Sequence, residues 1–198
     1  MPSRTRRQSR LHSIAQLELA KRLASGFSLI EMMIAITILA TCTALTVPAL
    51  RGFARQQRAR AAMDLIIVQM AEARTAAVIN NQPVVVCPAQ PQAEPADCSG
   101  AGDWSAGWIL FLDHDGDRRP SAASDIIDST NLPADRGLSI RTSQARAHVR
   151  YLPDGRSAGS NLTFELCNDA NERIASVVLN NAGRTRSQWA VSGLRCEH

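Results

Sequence analysis

Residues 1–25 are polar and basic, broken only by a short amphipathic stretch from Leu11 to Leu23. An apolar stretch follows, and from Met32 to Leu50 it runs for 19 residues without a charge. A helix of that length crosses most of a bilayer core. Basic residues before it place its N-terminal end in the cytoplasm by the positive-inside tendency, although Arg51, Arg55, Arg58 and Arg60 on the far side blunt that reading. An ordinary secretory signal cut near Ala44 to Ala49 is the alternative; Glu31, a carboxylate at the start of the apolar run, argues against it. Pro48 would kink a helix, at about 3 kcal/mol if uncompensated.

Residues 53–80 keep a helical period, with Ala61, Leu65, Val68 and Ala76 expected on one buried face. A single helix is therefore expected from about Phe27 to about Asn80, ended by Asn80-Asn81 and Pro83. Beyond it the pattern changes to short runs rich in β-branched and aromatic residues. Strands are expected at Val84–Cys87, Trp108–Leu112, Leu138–Arg141, His148–Leu152, Leu162–Cys167, Arg173–Leu179 and Thr185–Trp189. Turn signals fall at Pro153–Gly155, Asn168–Asn171 and Asn181–Arg184, and residues 88–107 read as a loop held by Cys98. The expectation is an α+β chain: a long N-terminal hydrophobic helix, transmembrane and then amphipathic, packed on a C-terminal antiparallel β-sheet domain. Its boundaries are 1–26, 27–51, 52–82 and 83–198.

Charge changes this picture by its distribution. The chain of 198 residues carries a formal +4. Six basic residues and Glu18 precede Phe27, so that segment alone is +5 and the remainder is −1. Within the remainder, residues 81–135 hold two Arg against nine acids, and residues 136–198 hold nine Arg against five acids. Such asymmetry points to a local partner surface rather than a uniformly basic coat.

Five cysteines are present. Cys42 lies in the apolar run, while Cys87, Cys98, Cys167 and Cys196 lie in the polar domain. Four cysteines allow three pairings; Cys87–Cys98 and Cys167–Cys196 are preferred because each closes its own local segment. A zinc site is the rival, weakened by the lack of any C-x-x-C and by scattered histidines.

Gly26, Phe27, Ser28, Leu29, Ile30 and Glu31, with the apolar run behind them, resemble the class III signal of type IV prepilins. The resemblance implies that prepilin peptidase cuts after the Gly26 leader and methylates Phe27. Glu31 becomes the fifth mature residue and Pro48 the twenty-second, where type IV pilins usually carry them. A carboxylate within the membrane costs roughly 2.5–3.5 kcal/mol on insertion scales. Its natural partner is the α-amine of Phe27, on the same or a neighbouring subunit, which would favour assembly of the helices into one bundle.

The domain resembles the GspH/FimT group of minor pilins and pseudopilins. The resemblance rests on V-V-V-C-P, on Trp104, Gly107, Trp108, Phe111, Asp113, Asp115 and Asp117, and on Gly183, Arg184 and Arg186. It implies a pilin-like fold, a non-enzymatic role without cofactor or metal, and a place in the inner membrane, single-pass with the C-terminal domain in the periplasm, then in the pilus at the cell surface. The implied partners are other major and minor pilins, prepilin peptidase and inner-membrane lipid.

Gly183-Arg184-Thr185-Arg186 is the segment most open to chemistry. In an extended strand Arg184 and Arg186 share a face about 7 Å apart, close to the phosphate spacing of a nucleic-acid strand. Arg195 and Arg173 are candidate additions. In FimT-like minor pilins this G-R-x-R element resembles a motif that contacts double-stranded DNA during natural transformation; such contacts go to phosphates and are salt-sensitive. A solvated hairpin with charged strand residues is the blander reading. A minor pseudopilin of type II secretion is the functional alternative, and a tethered enzyme or receptor is a third class. No Ser-His-Asp pattern, reactive Cys-His pair or glycine-rich phosphate loop supports the third. Asp113, Asp115 and Asp117 read as an acidic turn or as calcium ligands, but the EF-hand spacing fails. Trp104 and Trp108 are expected in the core.

Overall fold

The computed structural model describes residues 28–90, 93, 96–132, 137–143, 146–159, 161–191 and 193–196. Its elements are helix α1 (Leu29–Asn80), strands β1 (Val84–Pro88) and β2 (Gly107–Leu112), a 3-10 turn (Ala123–Asp125), and strands β3 (Ile126–Asn131), β4 (Ser139–Thr142), β5 (Val149–Tyr151), β6 (Leu162–Cys167), β7 (Arg173–Leu179) and β8 (Thr185–Trp189). The chain divides into two compact units, Met1–Arg51 and Gly52–His198.

The first unit contributes the apolar start of α1. Its large side chains, among them Leu29, Ile34, Ile38, Leu39 and Leu45, are all exposed. The threonine hydroxyls there are satisfied within the helix. The hydroxyls of Thr37, Thr41, Thr43 and Thr46 donate to the carbonyls of Met33, Thr37, Leu39 and Cys42, one turn back, at 2.7–2.9 Å. An apolar helix with its hydroxyls turned onto its own backbone suits surroundings without water.

In the second unit the strands form two antiparallel sheets, in the order β3-β2-β1-β5 and β4-β6-β7-β8. One face of each contributes to a core with the second half of α1. Val84, Val86, Trp108, Leu110, Val149 and Tyr151 come from the first sheet; Ile140, Phe164, Leu166, Val177 and Leu179 come from the second. Trp104 joins the two. Its ring lies 5.1 Å from Phe164, edge to face, and 6.3 Å from Trp108.

The buried face of α1 differs from the expected one. Ala59, Ala62, Met63, Ile66, Met70, Ala73 and Ala77 meet the sheets, Ala61 is exposed and Val68 is 59% exposed. Leu65 and Ala76 are only partly buried. The run Leu65-Ile66-Ile67-Val68 puts apolar side chains on every side of the helix, so period alone permits neighbouring stripes. The sheets select the stripe holding the two methionines, whose unbranched side chains fill uneven gaps.

The first sheet is buried on its other face too. Val85, Cys87, Ile109 and Phe111 form a small second core with Ala89, Ala96, Cys98 and Ile126. A disulfide from Cys87 to Cys98, with Cα atoms 5.6 Å apart, ties this covering loop to β1. A second disulfide, Cys167–Cys196, ties the C-terminal segment to β6. There the N–H of Arg173 donates to Leu194 O at 2.8 Å, and that of Cys196 to Asn171 O at 3.1 Å.

Strands β6, β7 and β8 have the expected bounds. β3 was not expected. Its sequence, Ile-Ile-Asp-Ser-Thr-Asn, is mostly polar and alternates between partly buried and exposed. It forms because β2 offers it an edge to pair with.

Candidate functional site

β7 and β8 are joined by a tight hairpin. Gly183 N–H donates to Asn180 O at 2.9 Å, Asn180 N–H to Arg184 O at 3.0 Å, and Arg184 N–H to the Asn180 side chain at 3.0 Å. Gly183 has φ +74°, the left-handed region that a three-residue hairpin of this kind needs at its last loop position. It is also buried. A Cβ there would run into the carbonyl oxygen of Gly155 and stand 3.1 Å from the Tyr151 ring. Glycine is therefore required twice over, by conformation and by close approach.

This hairpin delivers Arg184 and Arg186 to the outermost strand of the second sheet, both exposed. Arg186 is paired with Val178, and the core face of β7 is carried by Ala175, Val177 and Leu179. Arg186 therefore projects from the sheet face turned away from α1, and Arg184, two residues back, follows its direction.

Two expected additions are not brought to this pair. Arg173 forms an ion pair with the buried Glu165, so its charge is engaged. Arg195 is exposed but bridges Glu172, at the other end of β7 from Val178. Those positions are six residues apart along the strand, about 20 Å. Sequence proximity to the C-terminus could not reveal this, because the return of the chain along β7 sets the distance.

The acidic turn after β2 is built from its own carboxylates. Asp113, Asp115 and Asp117 each place an oxygen within 4.8 Å of the others. Asp113 is buried: one oxygen accepts the Arg118 N–H at 3.1 Å, and the other lies 3.0 Å from Arg150 Nε. Asp115 accepts the Asp117 N–H at 3.2 Å and Asp117 accepts the Arg119 N–H at 2.7 Å. The hydrogen bond from the Asp117 N–H holds the exposed Asp115 carboxyl below its ordinary range. Asp125 accepts the Ala122 N–H and faces His114 at 3.5 Å, and Asp128 accepts from Gln69 of α1 at 2.9 Å. These carboxylates are used as backbone acceptors and ion-pair partners, which is the chemistry of a structural turn.

Arg150 marks a basic cluster that sequence reasoning missed. His148 is half-buried, and burial first, then the charges of Arg118, Arg146 and Arg150, push its pKa below the ordinary value. No spacing in the sequence signals this, since Arg118 arrives from a different loop.

At the other end of the chain, Gly26 and Phe27 lie outside the described residues. Glu31 stands exposed in the first turn of α1, where the positive end of the helix dipole favours a carboxylate. The helix behind it contains a window long and apolar enough to cross a membrane.

A long N-terminal helix with an apolar, exposed start, joined to a β domain of two antiparallel sheets, defines a type IV pilin-like protein. The family model of the type II transport protein GspH matches residues 62–183, and that of the prokaryotic N-terminal methylation motif matches residues 21–47. The chain belongs to the GspH family of minor pilins and pseudopilins. Two crystal structures of the Pseudomonas aeruginosa type IV minor pilin FimU are similar in fold at 16% identity. One covers 73% of this chain and 97% of its own, with a TM-score of 0.53; the other covers 65% and 91%, with a TM-score of 0.50. The solution structure of Escherichia coli GspH, also 16% identical, aligns over 69% of this chain and 92% of its own with a TM-score of 0.44. No curated protein sequence matches the chain. The GspH match ends at Gly183, so Arg184 and Arg186 fall beyond it.

Proposed function

We propose that this chain is a minor type IV pilin that binds double-stranded DNA for uptake in natural transformation. The observation that carries the DNA reading is the pair Arg184 and Arg186, both exposed on an outermost strand and held in register by a hairpin that tolerates only glycine at position 183. Two guanidinium groups about 7 Å apart meet successive phosphates of one strand. Such contacts position a duplex without reading its bases.

In this reading residues 1–26 are the leader, cut between Gly26 and Phe27, with Phe27 then methylated. Residues 27–51 anchor the subunit in the inner membrane and later lie in the filament core; residues 52–82 continue the helix, and residues 83–198 stand in the periplasm. Glu31 pairs with the α-amine of Phe27 on its own or an adjacent subunit, which supplies the desolvated carboxylate with a partner during assembly. The test is a gel shift with the full mature chain in detergent micelles and duplex DNA. Loss of the shifted band in Arg184→Ala plus Arg186→Ala is expected; an unchanged band refutes the assignment.

A second reading is a minor pseudopilin of type II secretion, favoured by the description of the matching family model. A deletion strain separates the two. Loss of transformation with secretion intact supports the pilus; the reverse supports the secretion system.

A further inference from the structure

Three elements meet at Gly155, in the turn between β5 and β6. On one side, Arg74 of α1 brings its Nε to 3.1 Å and its Cγ to 3.6 Å from the position a Cβ on Gly155 would take. On the other side, a Cβ on Gly183 would run into the Gly155 carbonyl oxygen. The turn is thus one backbone thick between an arginine of the helix and the hairpin that carries Arg184 and Arg186. Both glycines have positive φ, +75° and +74°, so neither readily takes a side chain that would push these elements apart.

Turn and hairpin are also bonded to one another, since Ser157 N–H donates to Asn181 O at 3.2 Å. An open cleft of about 430 Å³ lies between them, lined by Leu152, Arg156, Ser157, Gly159, Asn181 and Ala182.

The charges around the Pro153–Gly155 turn are unevenly engaged. Arg156 is bonded to Asp154 at 2.6 Å. Arg74 forms no ion pair with a carboxylate among the described residues. The Tyr151 hydroxyl interacts with Arg74, but burial pushes its pKa far above neutrality and it carries no negative charge, and Asp154 in the same turn is bonded to Arg156. Arg74 is half-buried, with its stem against the turn.

We infer that Arg74 is a third phosphate-contacting residue: a nucleic-acid backbone held by Arg184 and Arg186 on the outer face of the second sheet rounds the hairpin end over the Pro153–Gly155 turn and places a further phosphate on Arg74, on the helix side. This rests on the DNA reading above and extends it from one hairpin to a surface shared by helix, turn and hairpin. Arg156, held by Asp154, is not part of the contact.

The experiment is a titration of the full mature chain in detergent micelles with duplex DNA of mixed sequence at 50–200 mM salt. Each phosphate contact contributes about 0.9 to the slope of log affinity against log salt, which over that range is a factor of about three. Arg74→Gln is expected to lower the slope by about 0.9, Arg74→Lys to restore it, and Arg156→Gln to leave it unchanged. An unaltered slope and affinity in Arg74→Gln, alongside loss of binding in Arg184→Gln plus Arg186→Gln, overturns the inference and leaves the hairpin reading standing. Equal losses for Arg74→Gln and Arg156→Gln overturn it as well, because they mark a diffuse charge effect. Unchanged binding in the double variant removes the DNA reading and this inference together. The Lys variant guards against a folding artefact, since it keeps both the stem and the charge.

Discussion

The two sheets of the β domain handle charge in opposite ways. The loops of the first sheet carry most of the acids of residues 81–135, yet those at the turn after β2 are already engaged within the chain, whether buried or exposed. Asp113 is buried against Arg150, and Asp115 and Asp117 accept backbone N–H groups of their own loop. The second sheet has fewer acids, and its arginines divide by position. Arg173 and Glu165 pair in the interior of the sheet's outer face, whereas Arg184 and Arg186 stand unburied on the edge strand. A count of charges therefore says little about which are available to a partner. Availability follows from whether a neighbouring backbone or side chain has already used the group, and edge strands are where that use is least complete.

The difference can be broken most forcefully at Asp113. If that carboxylate is structural, Asp113→Ala leaves Arg150 half-buried without its partner and is expected to cost about 3–4 kcal/mol of stability, read by chemical unfolding. A near-neutral result would mean that the first sheet's acids are as free as the second sheet's arginines. The covering loop offers the next largest effect. Replacing Cys87 and Cys98 with Ser releases an 11-residue separation and is expected to cost about 3 kcal/mol by chain entropy, seen as a lower unfolding midpoint.

Gly183→Ala sharpens the contrast from the other sheet. It meets left-handed strain and the Gly155 carbonyl together, and about 2 kcal/mol of destabilisation is expected, with loss of DNA binding in the same variant. Arg184→Gln plus Arg186→Gln is expected to shift stability by no more than about 0.5 kcal/mol, as for other surface substitutions, while abolishing the gel shift. The smallest effect is a pH dependence from His148. Its folded pKa lies below the unfolded value of 6.5, so the unfolded chain takes up more protons as pH falls past that point. Stability is expected to decline on lowering pH below about 6.5, and His148→Gln flattens that limb of the profile.

How much was legible beforehand varies by element for physical reasons. β6 and β7 could be bounded from sequence because each is rich in β-branched, aromatic or other apolar residues closed by strong turn residues, and β8, though mostly polar, is marked by the Asn181–Gly183 turn before it and by Thr185 and Trp189 at its ends. β3 could not, because a polar edge strand carries no hydrophobic alternation of its own and owes its form to β2. The helix was evident in extent, but its buried face was not: Val68 was expected inside and lies outside, while Met63 and Met70 lie inside. Arg184 and Arg186 were legible as a pair because an extended strand orders side chains locally. Arg195 was misplaced beside them, since its position depends on how the C-terminal segment returns to Glu172.

The sequence by itself determined what is local: an uncharged apolar stretch, the Glu31 and Pro48 positions within it, the turn chemistry and the alternation of most strands. These follow from residue types and short-range periods, which need no knowledge of the rest of the chain. The tertiary structure alone decided which helical stripe is buried, which carboxylates and arginines are already engaged, and that Arg74, more than a hundred residues from Gly183, stands across a single glycine turn from it. Those outcomes depend on packing between distant segments, where close approach and desolvation choose among arrangements that local pattern leaves equal.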